Sequence, residues 1–111
     1  MPDEDRVRIL HRIEAAGAVG RFMAGRSRAD LDQDQMLLFA VVRAIEVLGE
    51  AASKISPETR AAVPSVPWGA IVGMRNRLIH GYFDMDATVV WKTATEEVPA
   101  LVPILRTTLN L

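Results

Sequence analysis

The stretch from Asp32 to Ile55 constrains this chain more than any other. Met36, Leu37, Leu38, Phe39, Val41, Val42, Ile45, Val47, Leu48, Ala51 and Ala52 would cover most of the circumference of a helix built from it. A surface helix carries one apolar stripe, whereas a helix this apolar needs neighbours on more than one side. It is therefore either the centre of a helical bundle or a helix shared between a core and an interface with a second copy. Arg43, Glu46 and Glu50 interrupt the run, and the two glutamates stand one turn apart on one face.

The other segments supply the neighbours. A first helix is expected from Pro2-Asp3-Glu4 to about Met23, with acidic residues at its positive end and Leu10, Ile13, Gly17 and Gly20 in helical spacing. Gly25 to Asp30 reads as a turn. Ser56-Pro57-Glu58 reads as a cap and a short helix to about Val63, and Pro64 to Pro67 breaks the chain. A further helix follows from Pro67 to His80, with Gly81 just past its end. The last runs from about Ala87 to Leu109, with Val90, Ala94, Val98, Leu101, Leu105 and Leu109 on its core face. Pro99 and Pro103 should each delete a backbone hydrogen bond and bend it. Asp84 and Asp86 suit its cap, and Trp68 and Trp91 suit core anchors. With no strand alternation, repeat or internal linker, residues 1–111 read as one all-α domain. The architecture is a four-helix-type up-and-down bundle with an extra short helix.

Composition narrows the function classes. The formal charge of −1 and pI near 6.1 argue against binding nucleic acid by bulk electrostatics, though they allow a local basic cleft. The chain has no cysteine, which removes disulfides and thiolate metal sites and suits a reducing cytoplasm. Its charged N-terminus is not a signal peptide, and no apolar run is long enough for a membrane span.

Chemistry concentrates in the helix after Pro67. Trp68, Ile71, Val72, Leu78 and Ile79 form an apolar stripe with Arg75 in its middle. A guanidinium in that position needs a carboxylate, an interface or a water-filled cleft, and Glu46 and Glu50 are the candidate carboxylates. Another edge carries Gly69, Gly73, Asn76 and His80; its glycines would let a second backbone approach closely. Singly, Arg75 suits a structural ion pair and His80 a helix end. Together with Asn76 they form a set that can act on a phosphodiester. Imidazole exchanges protons near neutral pH, while guanidinium and amide hold and neutralise phosphate. Arg75 and His80 lie roughly 140° apart on an ideal helix, so a joint site forms most simply where two copies of the helix face each other. His11 suits a solvated surface. Neither histidine has a second ligand at metal-binding spacing, and no phosphate loop or nucleophile elbow is present. Tyr82 follows two residues after His80, where its hydroxyl should be reachable by another protein.

Arg75-x4-His80, with a polar residue directly after the arginine, resembles the R-x4-6-H motif of HEPN domains. Pro67-Trp68, Gly73 to Asn76, Leu78 to Tyr82 and Trp91 are similar to the HepT toxin branch, as is the helix segment Glu46 to Ala52. The resemblance covers nearly the whole chain and implies a HEPN-like homodimer acting as a metal-independent RNA endonuclease without a cofactor. It also implies the toxin of a type VII-like toxin–antitoxin pair, with Arg75, Asn76 and His80 as its catalytic set. Its partner would be a minimal nucleotidyltransferase antitoxin that neutralises it by adding AMP to Tyr82. The alternative is a non-catalytic helical module that binds a nucleotidyltransferase or nucleotide, with Arg75 and His80 serving the fold.

Overall fold

Helix α1 (Asp3–Met23) and helix α3 (Gln35–Ser53) lie antiparallel and form the frame of the molecule. The start of α1 meets the end of α3, where Arg8 Nη1 donates to the Lys54 carbonyl at 3.0 Å. The computed structural model describes residues 1–78 and 86–111, except for the side chain of Arg75. Helix α2 (Arg28–Gln33) is a short connector, and α4 (Pro57–Ala62) leads to α5 (Trp68–Leu78). The chain then continues through α6 (Ala87–Lys92), a π-helical turn (Thr93–Glu97) and α7 (Val98–Thr108). No strand occurs among the described residues, and no helix is long and apolar enough to cross a membrane. The all-α expectation is met.

Helix α3 packs against both α1 and α5, the first of the two arrangements its sequence allows, while α7 packs back on α1. Val41, Ile45 and Leu48 of α3 are fully buried with Ile9, Val19, Ile71, Leu78, Val90 and Leu105. Each such side chain contributes about 1.5–3 kcal/mol through burial. Met36 and Phe39 of the same helix remain exposed, at 84% and 49%.

Several boundaries differ from the sequence reading. The supposed turn from Gly25 to Asp30 already contains the first residues of α2. Ser27 stops the chain by local capping: its backbone N–H donates to Asp30 Oδ2 at 2.7 Å. Asp32 does not start the central helix; it pairs with Arg28 inside α2 at 2.9 Å. Asp34 is the cap instead, accepting from the Leu37 N–H at 3.1 Å. Ser56 caps α4 as expected, accepting from the Thr59 N–H.

The last helix also departs from a plain α-helix. Its six expected core residues, Val90 to Leu109, are all buried. They span 19 residues (109 − 90), whereas five α-helical turns hold about 18. One extra residue must be absorbed, and the π turn at Thr93–Glu97 absorbs it, closed by the Val98 N–H on the Thr93 carbonyl. Pro99 falls in the first turn after this widening, and Pro103 lies inside α7.

In α1 the core face lies one position away from Leu10, Ile13, Gly17 and Gly20. It carries Ile9, Arg12, Ala16, Val19 and Met23, while Leu10 is 40% exposed. Arg12 is fully buried, and none of its three guanidinium nitrogens has a hydrogen-bond partner among the described residues. It stacks over Trp68, 4.7 Å from the ring centroid. Burial, with the repulsion of Arg60, pushes its pKa down to about 10. A folded value below the unfolded one means the charge opposes folding fully below about pH 10, with relief only above it. Arg12→Met keeps the stem and removes the charge. It should raise the unfolding free energy by about 1–2 kcal/mol at neutral pH, read by urea titration. A loss of stability would mean that the guanidinium is compensated by more than the indole.

Candidate functional site

Helix α5 is set at its start by Trp68, whose indole N–H donates to the Val63 carbonyl at 3.2 Å. The Ile71 N–H takes the Pro67 carbonyl at 3.0 Å, so Pro67 stands at the helix entrance as expected. Trp68, Ile71, Met74 and Leu78 are buried, and this fixes the rotation of α5. The opposite edge, with Gly69, Asn76 and Arg77, is exposed. At the other end, the Asp86 N–H donates to the Leu78 carbonyl at 3.1 Å, which starts α6 beside the last turn of α5. The Asp86 carboxylate then caps α6, accepting from the N–H groups of Thr88 and Val89.

Of the residues singled out in the sequence, Asn76 is placed on the open edge of α5. Arg75 lies in α5 one position before it, and its side chain falls outside the described residues, as do His80, Gly81 and Tyr82. Glu46 and Glu50 do share a face. Both accept from Arg43 Nη1, at 3.3 and 3.4 Å, with Glu46 half-buried and Glu50 exposed. Their expected pairing with Arg75 therefore rests on a side chain outside the described set. A Cβ built on Gly69 or Gly73 would meet nothing within 4 Å among the described residues, so this edge has room for another backbone.

His11 is exposed, as its surroundings in the sequence suggested. Among the described residues no group of three or more histidine, aspartate or glutamate side chains could hold a metal ion. The sequence reading missed a bidentate pair next to Asn76: Arg77 Nη1 and Nη2 meet Glu97 Oε1 and Oε2 at 3.1 and 3.3 Å. Twenty residues separate the partners, and no helical spacing announces them. The arrangement thus offers an exposed amide and a guanidinium fork on one edge of the helix that carries Arg75.

The family model described as "Ribonuclease HepT-like" matches residues 12–108. "Putative RNase MJ1380" of Methanocaldococcus jannaschii is 38% identical over 89 residues, covering 80% of this chain and 82% of the relative. "Probable ribonuclease HepT" of Thermococcus cleftensis is 43% identical over 68 residues, 61% of this chain and 62% of the relative. "Putative RNase MJ1216" of M. jannaschii is 35% identical over 102 residues, 91% and 84% of the two chains. No solved structure matches.

Proposed function

The chain belongs to the HepT-like ribonuclease family, and on that premise we propose that it is a metal-independent RNA endonuclease acting as a toxin. The observation that carries this reading is the Arg75-Asn76-x3-His80 sequence, inside the matched region, with Asn76 on an open edge of α5. In the proposed reaction His80 takes the proton of a ribose 2′-hydroxyl, which attacks the adjacent phosphorus. The P–O5′ bond breaks as the 5′-oxygen takes a proton from water, and a 2′,3′-cyclic phosphate remains. Arg75 neutralises the pentacoordinate phosphate and Asn76 positions it. The reading includes a homodimer in which two α5 helices approach along the Gly69/Gly73 edge, supported by the empty space at both glycines and by exposed Met36 and Phe39.

Control of the nuclease is assigned to Tyr82. A nucleotidyltransferase partner would transfer AMP from ATP to its hydroxyl and release pyrophosphate. The added phosphate and nucleoside would compete with RNA for Arg75 and His80, so silencing requires no refolding.

One set of assays tests the reading. The purified protein should sediment as a dimer at micromolar concentration and cut RNA in EDTA, leaving cyclic-phosphate ends. Co-expression with the partner should add AMP to Tyr82 and silence the wild type but not Tyr82→Phe. Loss of cleavage in EDTA would remove the metal-free mechanism, and a monomer would remove the shared site. Full silencing of Tyr82→Phe would remove the control point.

A further inference from the structure

Arg77 and Glu97 stand where two open grooves meet. One, of about 740 Å³, runs between α5 and α7 past Ala70, Gly73, Asn76 and Ile104. The other, of about 410 Å³, runs along α6 past Asp86, Thr88, Lys92 and Thr93. Arg77 and Glu97 line both, so their ion pair is the wall the grooves share. We propose that a single RNA strand lies along the second groove up to the ion pair, the Gly73 side of the first being the edge assigned above to a second copy's α5, and that Arg77 leaves Glu97 to bind one of its backbone phosphates. This rests on the ribonuclease reading and adds a strand-binding track beside the cutting residues.

The energetics of the pair suit an exchange. Its side chains are 51% and 33% exposed, and such a pair contributes only about 0–1 kcal/mol to the fold. The guanidinium fork that meets both oxygens of Glu97 matches two phosphate oxygens equally well. A phosphate arriving at Arg77 therefore displaces a weakly held carboxylate rather than opening a core contact. The π turn is what brings that carboxylate to the position. One extra residue turns everything after it by about 100° relative to an uninterrupted α-helix, and Glu97 closes the turn.

Charge along the track is balanced, Arg77 and Lys92 against Glu97 and Asp86, so attraction for a strand rests on freeing Arg77. Lys92 lines the second groove, is exposed and has no ion-pair partner among the described residues. Asp86 in the same groove opposes a phosphate, but its carboxylate already accepts two N–H groups at the start of α6. In the first groove, Asn76 offers both a donor and an acceptor beside Arg77. The grooves thus join the proposed catalytic edge to a second cation through one exchangeable ion pair.

Binding measured without cleavage tests the track. A fluorescent single-stranded 2′-O-methyl RNA has no free 2′-hydroxyl to attack, so its affinity is read across a salt series for the wild type, Arg77→Gln and Glu97→Gln. Arg77→Gln should weaken binding about three- to tenfold at low salt and reduce the salt slope by about 0.7, the value for one lost phosphate contact. Glu97→Gln frees Arg77 and should tighten binding by about threefold with the slope intact. An Arg77→Gln variant with wild-type affinity and slope, while the wild type still cuts ordinary RNA, would overturn the track and leave the nuclease reading standing. Weaker binding by Glu97→Gln would overturn it as well. If Arg77→Gln keeps RNA binding but loses self-association, both grooves belong to a second copy. A wild type that neither binds nor cuts RNA defeats both readings.

Discussion

His80→Ala is expected to lower the rate of RNA cleavage by about 10²–10⁴-fold, the usual worth of a positioned acid–base group. That range corresponds to about 3–5 kcal/mol of lost transition-state stabilisation. The size follows from the proposed mechanism. A 2′-hydroxyl is a weak nucleophile until its proton is taken, and imidazole is the side chain whose ordinary pKa suits that transfer near neutral pH. Arg75 and Asn76 would still hold the phosphate, so the variant should retain affinity for 2′-O-methyl RNA while losing turnover. Its thermal midpoint should match that of the wild type, because the residue is assigned to chemistry rather than packing. Cleavage at the wild-type rate would take His80 out of the reaction. Loss of binding and of stability together would place it in the fold instead.

Asp5→Ala should reduce the unfolding free energy by about 3 kcal/mol at pH 7, a large effect for a residue in the first turn of α1. The carboxylate is 1% exposed. It accepts from the Ser56 and Thr59 hydroxyls, each at 2.5 Å, and from the Ser56 N–H at 3.2 Å, with Arg8 at 3.6 Å. Removal takes the acceptor from the buried Thr59 hydroxyl and from the Ser56 N–H, leaves the Ser56 hydroxyl only Thr59 Oγ1 at 3.2 Å, and unties α1 from the cap of α4. The same contacts set a pH dependence. The Ser56 and Thr59 hydroxyls hold the Asp5 pKa below its ordinary 3.8, against the opposing pull of burial. A depressed folded value means the stabilisation is complete above pH 3.8 and is lost as pH falls through the folded pKa. Asp5→Asn should lack that acid-dependent loss while keeping part of the contact. Urea midpoints from pH 7 down to pH 2 measure it, and parallel curves for wild type and Asp5→Asn would contradict the assignment.

Arg12 and Asp5 also mark the limit of reading α1 from its sequence. The apolar positions Leu10 and Ile13 suggested a face, but the buried face runs through Ile9, Arg12, Ala16 and Val19. An arginine at the centre of a stripe argues against that stripe unless an aromatic face waits for it, and Trp68 is 56 residues away in the chain (68 − 12). Asp5 looked like an ordinary acidic residue at the positive end of a helix. Its real acceptor role depends on Ser56 and Thr59, more than fifty residues later. The candidate site divides along the same line. Arg75, Asn76, His80 and Tyr82 stand out as a short motif, whereas the Arg77–Glu97 fork joins two helices and has no sequence spacing to reveal it.

The sequence alone determined what is local or periodic. The crowded apolar surface of residues 36–52 called for neighbours on more than one side, and α3 packs against both α1 and α5. Ser56 caps the helix after it through a hydrogen bond three residues long. The helical spacing of Val90, Ala94, Val98, Leu101, Leu105 and Leu109 marked a core face, and all six are buried, although the π turn among them was not legible. Each of these depends on bonds or phases within a few residues, so the chain encodes them directly. Only the tertiary structure decided which face of α1 turns inward, where Arg77 finds Glu97, and which edge of α5 stays open. Those outcomes depend on how several helices share one core. Rotating a helix by one residue exchanges similar aliphatic faces at little cost, and the choice falls to partners such as Trp68 that are far away in the chain.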